Sequence, residues 1–281
     1  MKKTKLIACV LAVCIVALIG VIAIKATKKE DDITTAPADD STFTVGTYDL
    51  TGEESTTALR DEATENAVTS TISDTANTYE YAYAGYNPQL ADMNVADWTL
   101  ILVNRNYILP EDYVPDLDYA VTGDTSSKKL DSRVAPHYNE MYLAAKEDGI
   151  TLTTVSGYRS WDLQKSNFER KINKYLDMGY SKVGATQEAA TIILPPGTSE
   201  HNAGLAMDIC SLEQSFENTE EFEWLMENAE DYGFILRYPK DKQDKTEIIY
   251  EPWHWRYVGV ENAKKINASG LCLEEYLGVV S

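Results

Sequence analysis

Two short stretches carry residue types that can do chemistry together. One runs Ser199-Glu200-His201-Asn202-Ala203-Gly204-Leu205-Ala206-Met207-Asp208, and the other is Glu251-Pro252-Trp253-His254. Between them they supply two imidazoles, a metal-binding carboxylate and carboxylate to spare. A catalytic zinc takes three protein ligands of nitrogen or oxygen type, leaves its fourth position to water, and wants a carboxylate near that water as proton shuttle. The chain has 3 histidines, and two of them lie in these stretches. The pattern S-x-H-x-x-G-x-A-x-D arises by chance in a chain of this length on the order of one time in ten thousand. It is therefore read as a metal site, with His201, Asp208 and His254 as ligands.

The spacing makes demands on the backbone. His201 and Asp208 are separated by an odd number of positions, which in a continuous strand sends them to opposite faces. The chain must bend between them, and Gly204 supplies that freedom, so that His201 comes from a loop and Asp208 from a strand. Pro252 keeps Glu251 out of helical geometry, placing Glu251 and His254 on an extended strand or a bend. His137 stands at the edge of an amphipathic helix with no ligand-like neighbour and is read as structural.

The elements that must hold these residues lie beyond about Gly85, where aromatic and aliphatic content rises. Trp98 to Val103 reads as a short buried strand. Asp131 can cap a helix running to Asp148, with Pro136 in its opening turns and Gly149 as its stop. Ile150 to Val155 is a strand, and Ser160 caps a second helix that runs to Met178 and ends at Gly179. A third helix is expected over Thr186 to Leu194. Leu205 to Ile209 reads as a strand and Thr219 to Tyr232 as a helix stopped by Gly233. Phe234 to Tyr238 and Ile248 to Val258 are strands, and a last helix spans Val260 to Ala268. Helices and strands mix without regular beta-alpha-beta alternation, which predicts an α+β fold with a mainly antiparallel sheet.

Upstream the composition changes. Residues 6–24 form an uninterrupted apolar run without a charged residue, flanked by lysines and long enough to cross a bilayer as a helix. This is a signal peptide or a signal anchor; no small-x-small cleavage site follows cleanly, which favours a retained anchor over residues 1–26. Residues 27–85 are dominated by Thr, Ser, Ala, Asp and Glu and show no period, so they read as an acidic, disordered stalk ahead of a folded domain at 86–281. Residues 1–29 carry a charge of +6 and residues 30–80 carry 13 acids against one Arg, which with the total of −20 leaves −14 for the rest. That balance leaves no basic patch and excludes nucleic acid as a partner. Cys9 and Cys14 fall within the apolar run, so Cys210 and Cys272 could form at most one disulfide in the domain; buried free thiols are the plainer reading.

On these residues the chain resembles the zinc-dependent D-alanyl-D-alanine carboxypeptidases of the VanY type, a group that includes VanX, L,D-carboxypeptidases of cell-wall turnover and the Hedgehog signalling domain. The resemblance covers about Trp98 to Tyr276. It runs through Leu102-Val103-Asn104, Pro110-Glu111-Asp112-Tyr113, Ser156-Gly157-Tyr158-Arg159-Ser160 with Gln164, Pro196-Gly197-Thr198-Ser199-Glu200-His201, Gly233-Phe234-Ile235-Leu236-Arg237-Tyr238-Pro239 and Glu251-Pro252-Trp253-His254-Trp255-Arg256-Tyr257. It implies the Hedgehog/DD-peptidase-like fold, Zn2+ on His201, Asp208 and His254, Glu251 as general base and Arg159 facing the scissile carbonyl. It also implies that Gln164, Ser199, Tyr238 and Trp253 line the pocket for the terminal residue. Pro195 before the Pro-Gly turn and Asn202, where Gln is frequent, depart from the family pattern.

The expected activity is removal of the terminal D-Ala from peptidoglycan stem peptides. The catalytic domain is expected to be monomeric and extracellular, facing the cell wall and tethered to the cell membrane by a single N-terminal span. Two alternatives stay open: L,D-carboxypeptidase action on tetrapeptide stems, and a non-catalytic zinc-bearing wall-binding module. An intact Glu251 argues against the second, since binding alone needs no base.

Overall fold

A computed structural model of the chain describes residues 79–280, so the apolar run at 6–24 and the stalk up to 78 lie outside the described residues. The strands are short. β1 (Gln89–Leu90) pairs in parallel with β2 (Tyr107–Ile108), and β3 (Leu117–Tyr119) pairs antiparallel with β4 (Lys129–Asp131). The central sheet is 4-stranded and wholly antiparallel, built from β5 (Thr154–Ser156), β6 (Ala206–Ile209), β7 (Phe234–Leu236) and β8 (His254–Tyr257) in the order β5-β6-β8-β7. Helices α1 (Ala135–Glu147), α2 (Trp161–Asp177), α3 (Lys182–Ala189), α4 (Glu220–Asn228), α5 (Gln243–Thr246), α6 (Val260–Ser269) and α7 (Leu273–Tyr276) surround it. This is the α+β architecture the sequence predicts.

Strand alternation sorts the two faces of the sheet. Met207 and Ile209 of β6 and Trp255 and Tyr257 of β8 join the main hydrophobic cluster with Leu130, Tyr138, Met141, Leu152 and Phe234. Burial of such a large apolar side chain contributes roughly 1.5–3 kcal/mol. The intervening residues point the other way: Ala206 pairs with Arg256 and Asp208 with His254. All of these are buried, so the second face of the sheet is a polar interior rather than a solvated surface.

Capping explains the helix that borders the site. The Ser160 side chain accepts from Leu163 N at the start of α2, Asp162 lies in its first turn, and Gln164, Phe168 and Ile172 form its buried stripe. The third helix begins earlier than expected, at Lys182, because Ser181 caps it by accepting from Gly184 N, and it stops at Ala189. Asp131 caps no helix. It ends β4, and its carboxylate takes a forked contact from Arg133 Nε and Nη2, so α1 starts at Ala135 with Pro136 in its first turn.

Three expected strands are corrected. Trp98–Leu100 is a 3-10 turn capped by Asp97, and the carbonyls of Thr99 and Ile101 accept from Arg256 rather than from a sheet neighbour. Of the expected strand at 248–258, only His254–Tyr257 is strand; α5 precedes it, and Pro252, which has no N–H to donate, sits in a turn closed by His254 N donating to Glu251 O. The strand expected at 150–155 is confined to Thr154–Ser156.

The folded unit also starts earlier than residue 86. Tyr81, Ala84 and Tyr86 are buried in a cluster with Phe168 and Ile172 of α2 and Ala185 and Ala189 of α3, and the Tyr79 hydroxyl donates to Pro196 O at 2.8 Å. Tyrosines at alternate positions, which look like polar linker, supply the apolar area that ties this strap down. Cys210 and Cys272 are free thiols. Among the described residues no helix is long and apolar enough to cross a membrane.

Candidate active site

Asp208 and His254 are cross-strand partners on the polar face of the sheet, which brings their side chains together without any loop. His201 arrives from the turn between Pro196 and Leu205. Gly204 has φ +69°, and a Cβ there would meet Asp131 N at 2.8 Å, so the bend foreseen at this residue is made where only glycine fits. Asn202 clamps the turn: its Oδ1 accepts from Gly197 N at 3.0 Å, while its Nδ2 donates to Arg159 O at 2.7 Å. Arg159 N in turn donates to His201 O at 3.0 Å. The turn that carries His201 and the β5–α2 corner that carries Arg159 are thus sewn together.

The three expected ligands converge. One ligand atom each from His201, Asp208 and His254 lies within 4.8 Å of the others. Asp208 Oδ1 is 3.3 Å from His201 Nε2 and 3.2 Å from His254 Nδ1. His201 Nε2 and Asp208 Oδ1 are buried yet make no hydrogen bond, and buried polar atoms without partners are uncommon. Two imidazole nitrogens and a carboxylate oxygen aimed at one point are a donor set that suits zinc. The nitrogens turned away from that point are also held. His201 Nδ1 lies 2.8 Å from Gly157 O, and His254 Nε2 lies 3.2 Å from Glu200 Oε2. Gly157 is obligatory, because a Cβ there would stand 2.3 Å from Lys129 O.

Burial and charge set the protonation states. Burial pulls His201 down to about 4, with Arg159 adding to it. Burial also acts to lower His254, but the Asp208 and Glu200 carboxylates beside it carry it up to about 9. Asp208 is disfavoured as an anion by burial, yet His201 and His254 hold its carboxyl far below the usual carboxylate range. A metal bound here takes the place of any proton on His254 Nδ1.

Glu251 is the carboxylate beside this trio. Its Oε2 is 3.7 Å from His254 Nδ1, and its backbone N donates to Tyr238 O at 3.2 Å. Burial pushes it up to about 8, with Asp208 and Glu200 adding to the rise against His254 and Arg159. Glu200, by contrast, is held in two ion pairs with arginines. Glu200 Oε1 accepts from Arg237 Nε at 2.7 Å and from Arg256 Nη1 at 2.9 Å. Burial alone would raise Glu200, but these two guanidinium groups hold its carboxyl well below the usual range. Arg237 also makes a forked contact with Glu274, which accepts from Asn104 Nδ2 as well.

The remaining expected residues ring the trio at different depths. Arg159 is half-buried; burial lowers it while Asp208 and Glu251 oppose, and its Nε has no hydrogen-bond partner. Gln164 Nε2 donates to Leu194 O at 2.6 Å, leaving its buried Oε1 unpaired. The Tyr238 ring stands 4.8 Å from the His254 ring and packs with Leu194 and Ile248. Ser199 is buried in the turn, with its Oγ accepting from His201 N at 3.4 Å. Trp253 belongs to the main hydrophobic cluster, and its carbonyl accepts from Ile209 N. Sequence reasoning did not assign Glu200, Arg237, Arg256, Glu274 or Asn202 a place around the site.

A buried His-Asp-His trio beside a carboxylate and an arginine, on an antiparallel sheet, is the donor set and neighbouring base that a metallopeptidase site requires. The family described as VanY, D-alanyl-D-alanine carboxypeptidase, matches residues 127–260. A D-alanyl-D-alanine carboxypeptidase of Enterococcus faecalis is 42% identical over 181 residues, which is 64% of this chain and 66% of that protein's length. A solved structure of VanYB in complex with D-alanine-D-alanine is 41% identical with a TM-score of 0.58, covering 66% of this chain and 100% of that one. A vancomycin-resistance D,D-pentapeptidase VanY in complex with Zn(II) is also 41% identical, with a TM-score of 0.57, covering 65% and 100% of the two chains. The chain belongs to the VanY family.

Proposed function

We propose that this chain is a zinc-dependent D-alanyl-D-alanine carboxypeptidase that removes the C-terminal D-Ala from peptidoglycan stem peptides. The observation that carries this reading is the convergence of His201 Nε2, Asp208 Oδ1 and His254 Nδ1 with the carboxylate of Glu251 alongside. His201, Asp208 and His254 would hold the zinc, which when bound would supply Lewis acidity toward the attacking water and the scissile carbonyl. The ionised carboxylate of Glu251, beside the trio, would take a proton from the attacking water and return it to the leaving amine. Arg159 faces the carbonyl oxygen and stabilises the negative charge that develops there. Gln164, Ser199, Tyr238 and Trp253 form the wall against the terminal residue, where the unpaired Gln164 Oε1 offers an acceptor.

The apolar run at 6–24 and the acidic stretch after it serve as membrane anchor and stalk, which lets the domain reach the wall from the outer face of the cell membrane. Steady-state kinetics on an acyl-D-Ala-D-Ala peptide, beside the same peptide amidated at its C-terminus, test the assignment. Cleavage of the free acid alone is expected. Equal cleavage of the amide would make the chain an endopeptidase, and cleavage of neither would remove the catalytic reading in favour of a zinc-bearing binding module.

A further inference from the structure

The buried ion pairs behind His254 do more than fill the interior. Glu200, Arg237, Arg256 and Glu274 are each about 1% exposed or less, and together they balance two negative charges against two positive ones. Such a cluster is a poor way to gain stability, because desolvation offsets most of the attraction. Its geometry has a direction. Glu200 Oε1 is taken up by Arg237 and Arg256, so Glu200 Oε2 is left for one partner, the Nε2 of His254 at 3.2 Å. Arg256 is fixed in turn by donating to Thr99 O, Ile101 O and Tyr257 O, and Arg237 by its fork with Glu274.

We propose that Glu200 is a positioning residue for the metal centre: it accepts the Nε2–H of His254 and thereby commits the Nδ1 lone pair of that ring to the ion. This rests on the zinc reading of the site and goes beyond it, since Glu200 is not one of the three converging ligands. A carboxylate can only accept, so it selects one tautomer of the imidazole. An amide in its place can donate as well, and would equally satisfy the tautomer whose Nδ1 carries the proton and cannot bind metal. Loss of such an outer partner typically weakens metal binding about 10- to 100-fold.

The test measures zinc affinity by chelator competition on the full chain, with the visible spectrum of the cobalt-loaded protein as second readout. Glu200→Gln is compared with Glu274→Gln, which leaves the same charge imbalance in the same cluster but does not touch His254. Both variants are expected to melt lower than the parent. Only Glu200→Gln is expected to lose zinc affinity, about 10- to 100-fold, and to change the cobalt spectrum. If Glu200→Gln does not fold, the double variant Glu200→Gln/Arg256→Gln restores charge balance, and the same loss is expected of it. Equal losses in the Glu200 and Glu274 variants, or parental affinity in Glu200→Gln, would reduce the cluster to packing and overturn the proposal. A parent chain that binds no zinc would instead overturn the metal reading itself, and the positioning role with it.

Discussion

The two histidines of the trio are held in place by opposite means. His201 sits on a turn, and its outer nitrogen meets a neutral backbone carbonyl, Gly157 O, made reachable by a glycine against which no Cβ fits. His254 sits on a strand, and its outer nitrogen meets a buried carboxylate backed by two arginines. Their charge environments differ as well: burial and Arg159 draw His201 down to about 4, while the Asp208 and Glu200 carboxylates outweigh burial and carry His254 up to about 9. One ring is thus oriented by a neutral carbonyl, and the other by a carboxylate. Shape does the work on the turn side, and charge does it on the strand side.

The comparison can be broken most severely by removing either ring. His201→Ala or His254→Ala should abolish zinc binding, since three ligands are the minimum for a held catalytic zinc; elemental analysis of the purified protein reads this directly, and full occupancy in either variant would show the ligand set to be wrong. Next in size is Arg159→Ala, expected to keep zinc but to lower turnover roughly 100- to 1,000-fold if the guanidinium faces the oxyanion. A rise in KM with turnover unchanged would assign it to the substrate carboxylate instead.

Glu251→Gln should keep metal and fold while turnover drops about 100-fold or more. It also has a signature in the metal-free protein. Burial raises its pKa from an ordinary 4.5 to about 8, so the folded state binds more protons than the unfolded state between those values. Stability contributed through this group is complete below about 4.5 and is lost as pH rises through about 8. The melting temperature of metal-free Glu251→Gln should therefore gain on the parent across that window, and parallel pH profiles would contradict the buried-acid assignment.

Smaller effects sharpen the turn side. Gly157→Ala forces a Cβ against Lys129 O and should destabilise by about 1–3 kcal/mol, with zinc affinity falling because the carbonyl that holds His201 moves. A chain beginning at residue 86 should melt below one beginning at residue 79, because it lacks Tyr81 and the Tyr79 contact to Pro196. Equal melting would mean that the tyrosine strap contributes nothing.

The turn side was the more legible in sequence. His201, Gly204 and Asp208 fall within ten residues, and the need for a bend between ligands follows from strand alternation alone. The caps at Ser160 and the stops at Gly179 and Gly233 are equally local, and the helices they bound lie close to where they were expected. The strand side is written across the chain. Glu200 finds its partners at 237, 254 and 256, and no window of sequence shows that three elements will fold their charges into one place. The same non-locality hid the fate of Trp98–Val103, whose carbonyls serve Arg256, and of Tyr79–Tyr86, whose apolar area is needed only once α2 and α3 are packed. Strands of two or three residues such as β1 to β4 have too short a period to be read at all.

The most direct measurement is the mass of the products when the zinc-loaded full chain is incubated with defined muropeptides bearing pentapeptide and tetrapeptide stems. The account predicts that the pentapeptide loses one D-Ala and stops there, in the parent and not in Glu251→Gln. Loss of D-Ala from the tetrapeptide alone would make this an L,D-carboxypeptidase, and unchanged masses for both stems would contradict the assignment of a hydrolytic site.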